Sequence, residues 1–446
     1  MKSMYSSSNT KHHSAIVIDD SDSSMINAGH IIRSGGLVAF PTETVYGLGA
    51  NALNATSCEK IFTTKSRPKS DPLIVHVTNI NEALNLFDLE ININNEIDDK
   101  NDIIKIIRSL GDKFWPGPLT LIYKANDKVP NIITAGTGFV GVRSPKHQVA
   151  RRLIISAGVP IAAPSANRFG HVSPTHHQHV LDDLGNEDIH VISTTTSSSS
   201  PSTMIDMEDA ICEHGIESTV CKVYSDGRLE ILRAGPVTPS MIKEVVATLD
   251  IKRIPTVKVN TMQQNKNSEN NEKDNENEKI NLGTNKVENN QEVSIEGDKG
   301  EAQAPGQMTR HYAPDLPTAM TTAQTLRSLS DSFLSRCLIL DYGGRLLNNH
   351  NDNYEEGEVD VRCRCCKYWD LSRSNDAKEA CTNLFGKLRL AESKELKEVG
   401  VEMLLLPDLS DCSSSSSSSN SELELALWER IHRAASGKFV NKNEQF

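Results

Sequence analysis

The stretch from Gly35 to Gly49 limits most strongly what this chain can fold into. Leu37 to Phe40 is an apolar run suited to a buried strand, and Pro41, which has no amide hydrogen to donate, ends it. Thr42, Glu43, Thr44 and Tyr46 then set four polar side chains at the C-terminal end of that strand, where open α/β sheets gather ligands. Gly47 and Gly49 close the segment, where backbone must turn or come close to something. A polar loop capping a core strand fits the same residues, so this stretch alone leaves the two readings even.

Apolar runs of strand length alternate with helical patterns along residues 15–255. Ile16 to Asp19 reads as an edge strand and Met25 to Ser34 as a helix stopped by Gly35-Gly36. Thr56 with Glu59 has the spacing of a capping box, which starts a helix near Ser57 that runs to Lys65. Pro72 to Val77, Leu119 to Tyr123, Phe139 to Arg143 and Val159 to Ala163 read as strands, with helices over Ile103 to Lys113 and from Val149 to Gly158. Ser173-Pro174-Thr175 starts a further helix that Gly185 ends, and Asp226-Gly227 marks a hairpin between Glu217–Tyr224 and Leu229–Arg233. Thr238-Pro239 is an N-cap followed by proline at the first helical position. One hairpin among alternating strands and helices implies a mixed sheet.

Asn260 to Gly300 holds Asn, Glu and Lys with almost no apolar residues, so it cannot offset the entropy of ordering and is expected to be disordered. Asn92 to Asp102, Thr194 to Ser202 and Ser413 to Ser419 read as inserts. Beyond the long linker a second α/β region follows. It has a helix to Leu334, a strand from Cys337 to Leu340, another near Val361, a helix from Ala377, a strand from Val401 to Leu406 and an amphipathic helix from Leu423 to Ala435. The expected organisation is a tail over 1–14, a first domain over 15–255, a linker over 256–314 and a second domain over 315–440.

The net charge of −12 argues against a general nucleic-acid coat protein. Nine cysteines without framework spacing point to a reducing intracellular compartment. No apolar run reaches membrane length, and the start lacks a secretory core, so the expectation is a cytoplasmic protein with no membrane contact. Its Ser-rich, acid-free first residues leave a mitochondrial fraction open. Cys363, Cys365, Cys366 and Cys381 match no standard zinc spacing and read as a strand segment with spare thiols.

Polar clusters recur at strand ends through the first region. Lys65, Arg67, Arg143 and Arg233 offer fixed positive charge for phosphate or carboxylate, and Ser165, Asn167, Ser173, Ser218 and Thr219 offer neutral hydrogen bonds. No Cys or His pairs with Ser or Asp at a suggestive spacing, so covalent catalysis has no support. The set suits a nucleotide-handling enzyme that works by positioning and charge neutralisation. Plainer readings stand beside it. Lys65 and Arg67 also suit a helix C-terminus, His76 a core histidine, and Ser165 and Asn167 a turn. There is no P-loop, and Gly47 to Ala52 matches G-x-G-x-x-A without the tight strand-to-helix turn that a dinucleotide fingerprint needs.

These residues also carry a resemblance. Pro41 to Gly49, Lys65-Ser66-Arg67-Pro68 with Pro72-Leu73, Trp115 to Thr120, Val142 to Pro145, Pro164-Ser165-Ala166-Asn167, Ser173-Pro174-Thr175, Glu217 to Val220 and Leu232-Arg233 resemble, in order, the YrdC-like domain of the threonylcarbamoyl-AMP synthase family. His311 to Pro314 and the C-terminal region resemble the two-domain branch of that family. The resemblance implies a YrdC-like domain with a twisted mixed sheet and flanking helices, joined by a long linker to a smaller Rossmann-like α/β domain. It implies that L-threonine, bicarbonate and ATP, with Mg²⁺, give threonylcarbamoyl-adenylate and pyrophosphate for tRNA modification. A downstream threonylcarbamoyl transferase, a KEOPS-type complex or its mitochondrial counterpart, would accept the product, and tRNA is a further implied contact.

By matched position, Thr44, His76, Arg143, Ala163 and Ser218 would hold threonine. Arg67, Asp71, Phe139, Ser165, Ser173 and Arg233 would face ATP, Lys65, Arg67, Ser165 and Asn167 would form the catalytic set, and Tyr312 would serve a lid. The sequence departs from the family pattern in three places: the Thr194 to Ser202 and Asn260 to Gly300 inserts lengthen segments near the lid, and two single positions differ. Asp71 stands where Asn is frequent, so its charge needs an offset such as Mg²⁺, and Phe139 stands where a Thr touches ATP, with Thr137 as a substitute. An RNA-binding module and a carbamoyl-transfer module on the same domain type are the competing readings. The net acidity and the absence of paired-Cys zinc motifs weigh against them.

Overall fold

A computed structural model describes residues 15–89, 97–194, 212–251, 255–260, 311–347, 360–410 and 419–440. The N-terminal tail, most of the insert residues and the segment 261–310 lie outside the described residues. The first domain is built on an eleven-stranded sheet in the order β1-β8-β2-β3-β7-β4-β6-β5-β9-β10-β11. In chain order these strands are β1 (Ile16–Ile18), β2 (Val38–Phe40), β3 (Gly47–Asn51), β4 (Ile74–His76), β5 (Leu119–Lys124), β6 (Phe139–Arg143), β7 (Ile161–Ala162), β8 (His190–Ile192), β9 (Thr219–Val223), β10 (Leu229–Arg233) and β11 (Val257–Val259). The sheet is mixed, as the single hairpin implied: β2–β3 and β9–β10 are antiparallel, while β4–β6 and β5–β9 run parallel.

Alternation along β2 divides the core. Val38 and Phe40 join the cluster under α1 (Asp22–Arg33) and the helix Gln148–Ala157, while Ala39 joins the larger cluster on the opposite face. Gly47 and Gly49 sit inside β3, where neighbours come close. A Cβ on Gly49 would lie 2.8 Å from Phe40 Cε1 and 2.9 Å from Ile161 Cγ2. Close approach, not a turn, is therefore what these glycines serve.

Four local expectations need correction. The helix Ala55–Lys65 is capped by Asn54, whose side chain accepts from the Ser57 amide, so the Thr56/Glu59 spacing is incidental. The helix after Ser173 begins only at His177, with His176 as its cap, which leaves Ser173 to Thr175 in irregular backbone. The long helix Ile97–Phe114 takes in half of the Asn/Asp-rich stretch read as an insert. Val361–Arg364 is a helical turn and not a strand, with the strand following at Lys367–Asp370, so Cys363 sits on a helix. Strand β11 also carries the first sheet past residue 255.

The second domain has a four-stranded, all-parallel sheet of β12 (Thr318–Thr321), β13 (Cys337–Asp341), β14 (Lys367–Asp370) and β15 (Met403–Pro407), ordered β12-β15-β13-β14. Helices Ala377–Ala391 and Ser419–Ala434 pack on it, and their core cluster takes in Val45, Val172, Ile216, Ala234 and Tyr312. The two domains thus share a core. Tyr312, fully buried at a φ of +62°, stacks on Phe385 with ring centroids 5.1 Å apart. Among the described residues no helix is long and apolar enough to cross a membrane.

Buried ion pairs tie the same seam. Arg389 reaches Asp183 at 2.9 Å, and the His171 ring bridges Asp183 at 2.8 Å and Glu392 at 3.1 Å. Burial alone would lower the His171 pKa, but its hydrogen bonds to Asp183 and Glu392 raise it above the ordinary value. A raised histidine gives stability that is complete below its unfolded pKa, about 6.5, and is lost as pH rises through the folded value. His171→Gln should therefore destabilise the protein more at about pH 6 than at about pH 8.5, by on the order of 1 kcal/mol, in paired thermal melts. Equal losses at both pH values would show that the ring carries no charge there.

Candidate active site

The pocket opens where the polar loop after β2 meets the ends of β4, β6, β7 and β10. Thr44, Arg67, His76, Arg143, Ala163, Ser165, Ser218 and Arg233 all line it, together with Thr42, Val45, Glu217 and His311. The order of strands in the sheet explains the convergence. β4 and β6 are parallel neighbours with His76 opposite Arg143 in register, and β7, delivering Ala163 to Ser165, flanks β4 on its other side.

One half of the pocket is organised by Arg143. Its Nη2 lies 2.7 Å from Glu43 Oε1, its Nη1 donates to Thr44 Oγ1 at 3.0 Å and its Nε donates to the Gly117 carbonyl at 3.3 Å. Burial alone would raise the Glu43 carboxyl, but Arg143 and backbone donors hold it below its usual value. Thr42 Oγ1 lies 2.8 Å from Thr44 Oγ1 and donates to the Val45 carbonyl at 2.6 Å, locking the loop. Burial and the neighbouring Arg143 cation depress the His76 ring to about 3, which keeps it neutral. Ser218 Oγ sits 2.8 Å from Thr120 Oγ1, and Arg233 Nη2 donates to it at 3.1 Å.

The other half is cationic. Arg67 pairs with Asp71 at 2.9 Å and donates to the Pro72 carbonyl at 2.9 Å. The offset that Asp71 needs is thus supplied by Arg67 itself. Lys65 follows from the helix Ala55–Lys65 directly behind the wall, donating to the Ser165 carbonyl at 2.6 Å and to the Asn167 carbonyl. Burial and the nearby Arg67 cation push its pKa well down. Asn167 uses its Nδ2 on the carbonyls of Arg168 and His171, while its buried Oδ1 has no hydrogen-bond partner. Arg233 donates through Nε and Nη2 to the Ser218 carbonyl, and Ser173 donates to Glu217 at 2.6 Å.

Lys65, Asn167, Asp71, Ser173 and Tyr312 stand behind the lining residues, and Phe139 stands apart. It occupies the far end of β6 from Arg143, packs on Ile122, Val220 and Leu232, and lies under Lys222 Nζ at 4.0 Å. Thr42 and Glu43, already marked by the polar loop after β2, belong to the pocket or its wall, and so do Thr120, Glu217 and His311, to which the sequence gives no individual role. Glu43 and Glu217 were visible as acidic residues inside otherwise neutral strand-end clusters, and that is the only local signal they carry.

Residues 30–235 match the family model described as "Telomere recombination", and residues 237–436 match the model described as "Threonylcarbamoyl-AMP synthase, C-terminal domain". A threonylcarbamoyl-AMP synthase of Schizosaccharomyces pombe is 28% identical over 96% of this chain and 92% of its own. A putative one of Methanocaldococcus jannaschii is 32% identical over 40% of this chain and 77% of its own. The synthase of Pyrococcus abyssi is 45% identical over 35% of this chain, a match that spans 42% of the relative's length. Pyrococcus abyssi Sua5 complexed with L-threonine has a similar structure, with a TM-score of 0.63, 25% identity and coverage of 96% of this chain and 98% of that one. With both halves matched in order and the relatives consistent, the chain belongs to the threonylcarbamoyl-AMP synthase family.

Proposed function

We propose that this protein condenses L-threonine, bicarbonate and ATP into threonylcarbamoyl-adenylate, releasing pyrophosphate and water. The observation that carries the reading is one pocket with two distinct halves: a neutral, hydroxyl-lined half around Arg143 and a cationic half around Arg67 and Arg233. An amino acid suits the first. Thr44 and Ser218 offer hydroxyls, Arg143 holds a carboxylate and neutral His76 leaves the amine free of a competing charge. The triphosphate suits the second, where Arg67, Arg233 and the Lys65 behind them neutralise charge at the α-phosphate under attack by the carbamate.

Mg²⁺ enters this reading with ATP, as part of the substrate. The carboxylates near the pocket are already engaged, Asp71 by Arg67 and Glu217 by Ser173 and Arg430. Lys65 fixes the Ser165–Asn167 loop through two carbonyls, so its role is to hold the catalytic wall as well as to add charge. The segment carrying His311 and Tyr312 packs against both domains with His311 lining the pocket, which suits the lid role that the family resemblance gives Tyr312. Supply of the product to a threonylcarbamoyl transferase that modifies tRNA, in the cytoplasm, completes the reading.

Incubation with threonine, bicarbonate and Mg-ATP should release pyrophosphate only when threonine is present. Threonine-independent release, or none, would remove the proposal. Arg67→Met should cut that release by about 100-fold or more, as expected for loss of a preorganised charge on the reacting phosphate. Its threonine affinity, read by calorimetry, should stay within about twofold of wild type, because Arg67 belongs to the other half. Near-normal turnover would take Arg67 out of the catalytic set.

A further inference from the structure

Arg430 comes from the helix Ser419–Ala434 of the second domain, yet its fully buried guanidinium ends against the first domain's pocket wall. Its Nη1 donates to the Ala234 carbonyl at 2.5 Å, one residue beyond Arg233, and its Nε lies 3.4 Å from Glu217 Oε2. The other oxygen of Glu217 accepts the Ser173 hydroxyl at 2.6 Å. Arg430, Glu217 and Ser173 therefore form one chain from the second domain to the cationic half of the pocket. Burial works against the Arg430 charge, but Tyr312 and Glu217 beside it keep its pKa above the ordinary value.

The chemistry of this chain is specific. Glu217 lines the pocket on the side of Arg233, where a bare carboxylate would repel a polyphosphate through a medium of low dielectric. Arg430 also lies 3.7 Å from Glu429, itself 3.6 Å from Arg433, so with Glu217 these four form a neutral buried cluster of two acids and two bases that still orients Ser173. Hydrogen bonding to the Ala234 carbonyl meanwhile fixes the backbone that carries Arg233. We infer that Arg430 is a positioning residue for the nucleotide half of the site, supplied by the second domain, which cancels the Glu217 charge and sets Ser173 and Arg233 toward a triphosphate. The inference rests on the proposed function and assigns the second domain a part in it. A mere bolt between domains would act on both halves of the pocket alike.

Binding of Mg-ATP and of L-threonine to the full chain, each measured alone by calorimetry, separates these cases. Arg430→Met should weaken ATP by about tenfold or more, because it strands a buried carboxylate beside the phosphates, and should leave threonine within about twofold. The double variant Glu217→Gln/Arg430→Met removes both charges while its amide oxygen still accepts from Ser173, and it should regain most of the lost ATP affinity. Unchanged ATP affinity in Arg430→Met, equal losses for both ligands, or no regain in the double variant would overturn the inference. Should the Met variant fail to fold, Arg430→Lys decides instead: ATP affinity within about threefold supports charge compensation, and a tenfold loss contradicts it. Wild-type protein that binds ATP but makes no pyrophosphate counts against the proposed function alone. Wild-type protein that fails to bind ATP overturns both.

Discussion

A cation removed from water must be met by a carboxylate, a ring of carbonyls or a ligand. Lys65, Arg67, Arg143, Arg233 and Arg430 are all buried around one pocket, and their need for partners organises it. Arg143 takes Glu43 and the hydroxyl of Thr44, Arg67 takes Asp71, and Lys65 takes two carbonyls of the loop after β7. Arg143 of β6 reaches the loop after β2, Lys65 reaches the loop after β7, and Arg233 of β10 reaches the Ser218 carbonyl before β9, so these pairs also tie those elements together. The sheet brings these groups near one another, and the ion pairs decide which way they face.

The division of labour follows from where acids accompany the bases. Around Arg143 the charges cancel, leaving hydroxyls and a neutral imidazole, which suits the zwitterionic amino acid of the proposed reaction. Around Arg67 and Arg233 the backbone carbonyl of Ser218 is the main partner of the second cation, so net positive charge persists there, as the proposed polyphosphate substrate requires. The second domain enters at the same place, through the shared core of Val45, Ala234 and Tyr312 and through the buried Arg430. Residues flanking the pocket and residues of the domain seam are thus neighbours in the chain, as Val45 is of Thr44 and Ala234 of Arg233.

Much of the site is legible in the sequence because its residues lie at strand ends, which apolar runs announce. Pro41 and Pro164, the proline before Ser165, both mark such ends. Side-chain pairing across the fold leaves no such mark. Nothing local to Glu217 reveals that its partner is Arg430 on another domain, or that His171 sits between Asp183 and Glu392. The cap at Asn54 was hidden for a smaller reason: Asn54 and Thr56, two residues apart, are both good caps, and the structure uses the first. Phe139, at the far end of β6 from Arg143, packs on Ile122, Val220 and Leu232 outside the lining of this pocket, a placement that its position in the chain does not reveal.

The central claim is that one pocket has an amino-acid half and a nucleotide half set by these paired charges. A crystal structure of the protein with L-threonine and a non-hydrolysable ATP analogue tests it most directly. The account predicts threonine against Thr44, Arg143 and Ser218, with the triphosphate on Arg67 and Arg233. Threonine lodged among the cations, or nucleotide bound at the parallel sheet of the second domain, would contradict it.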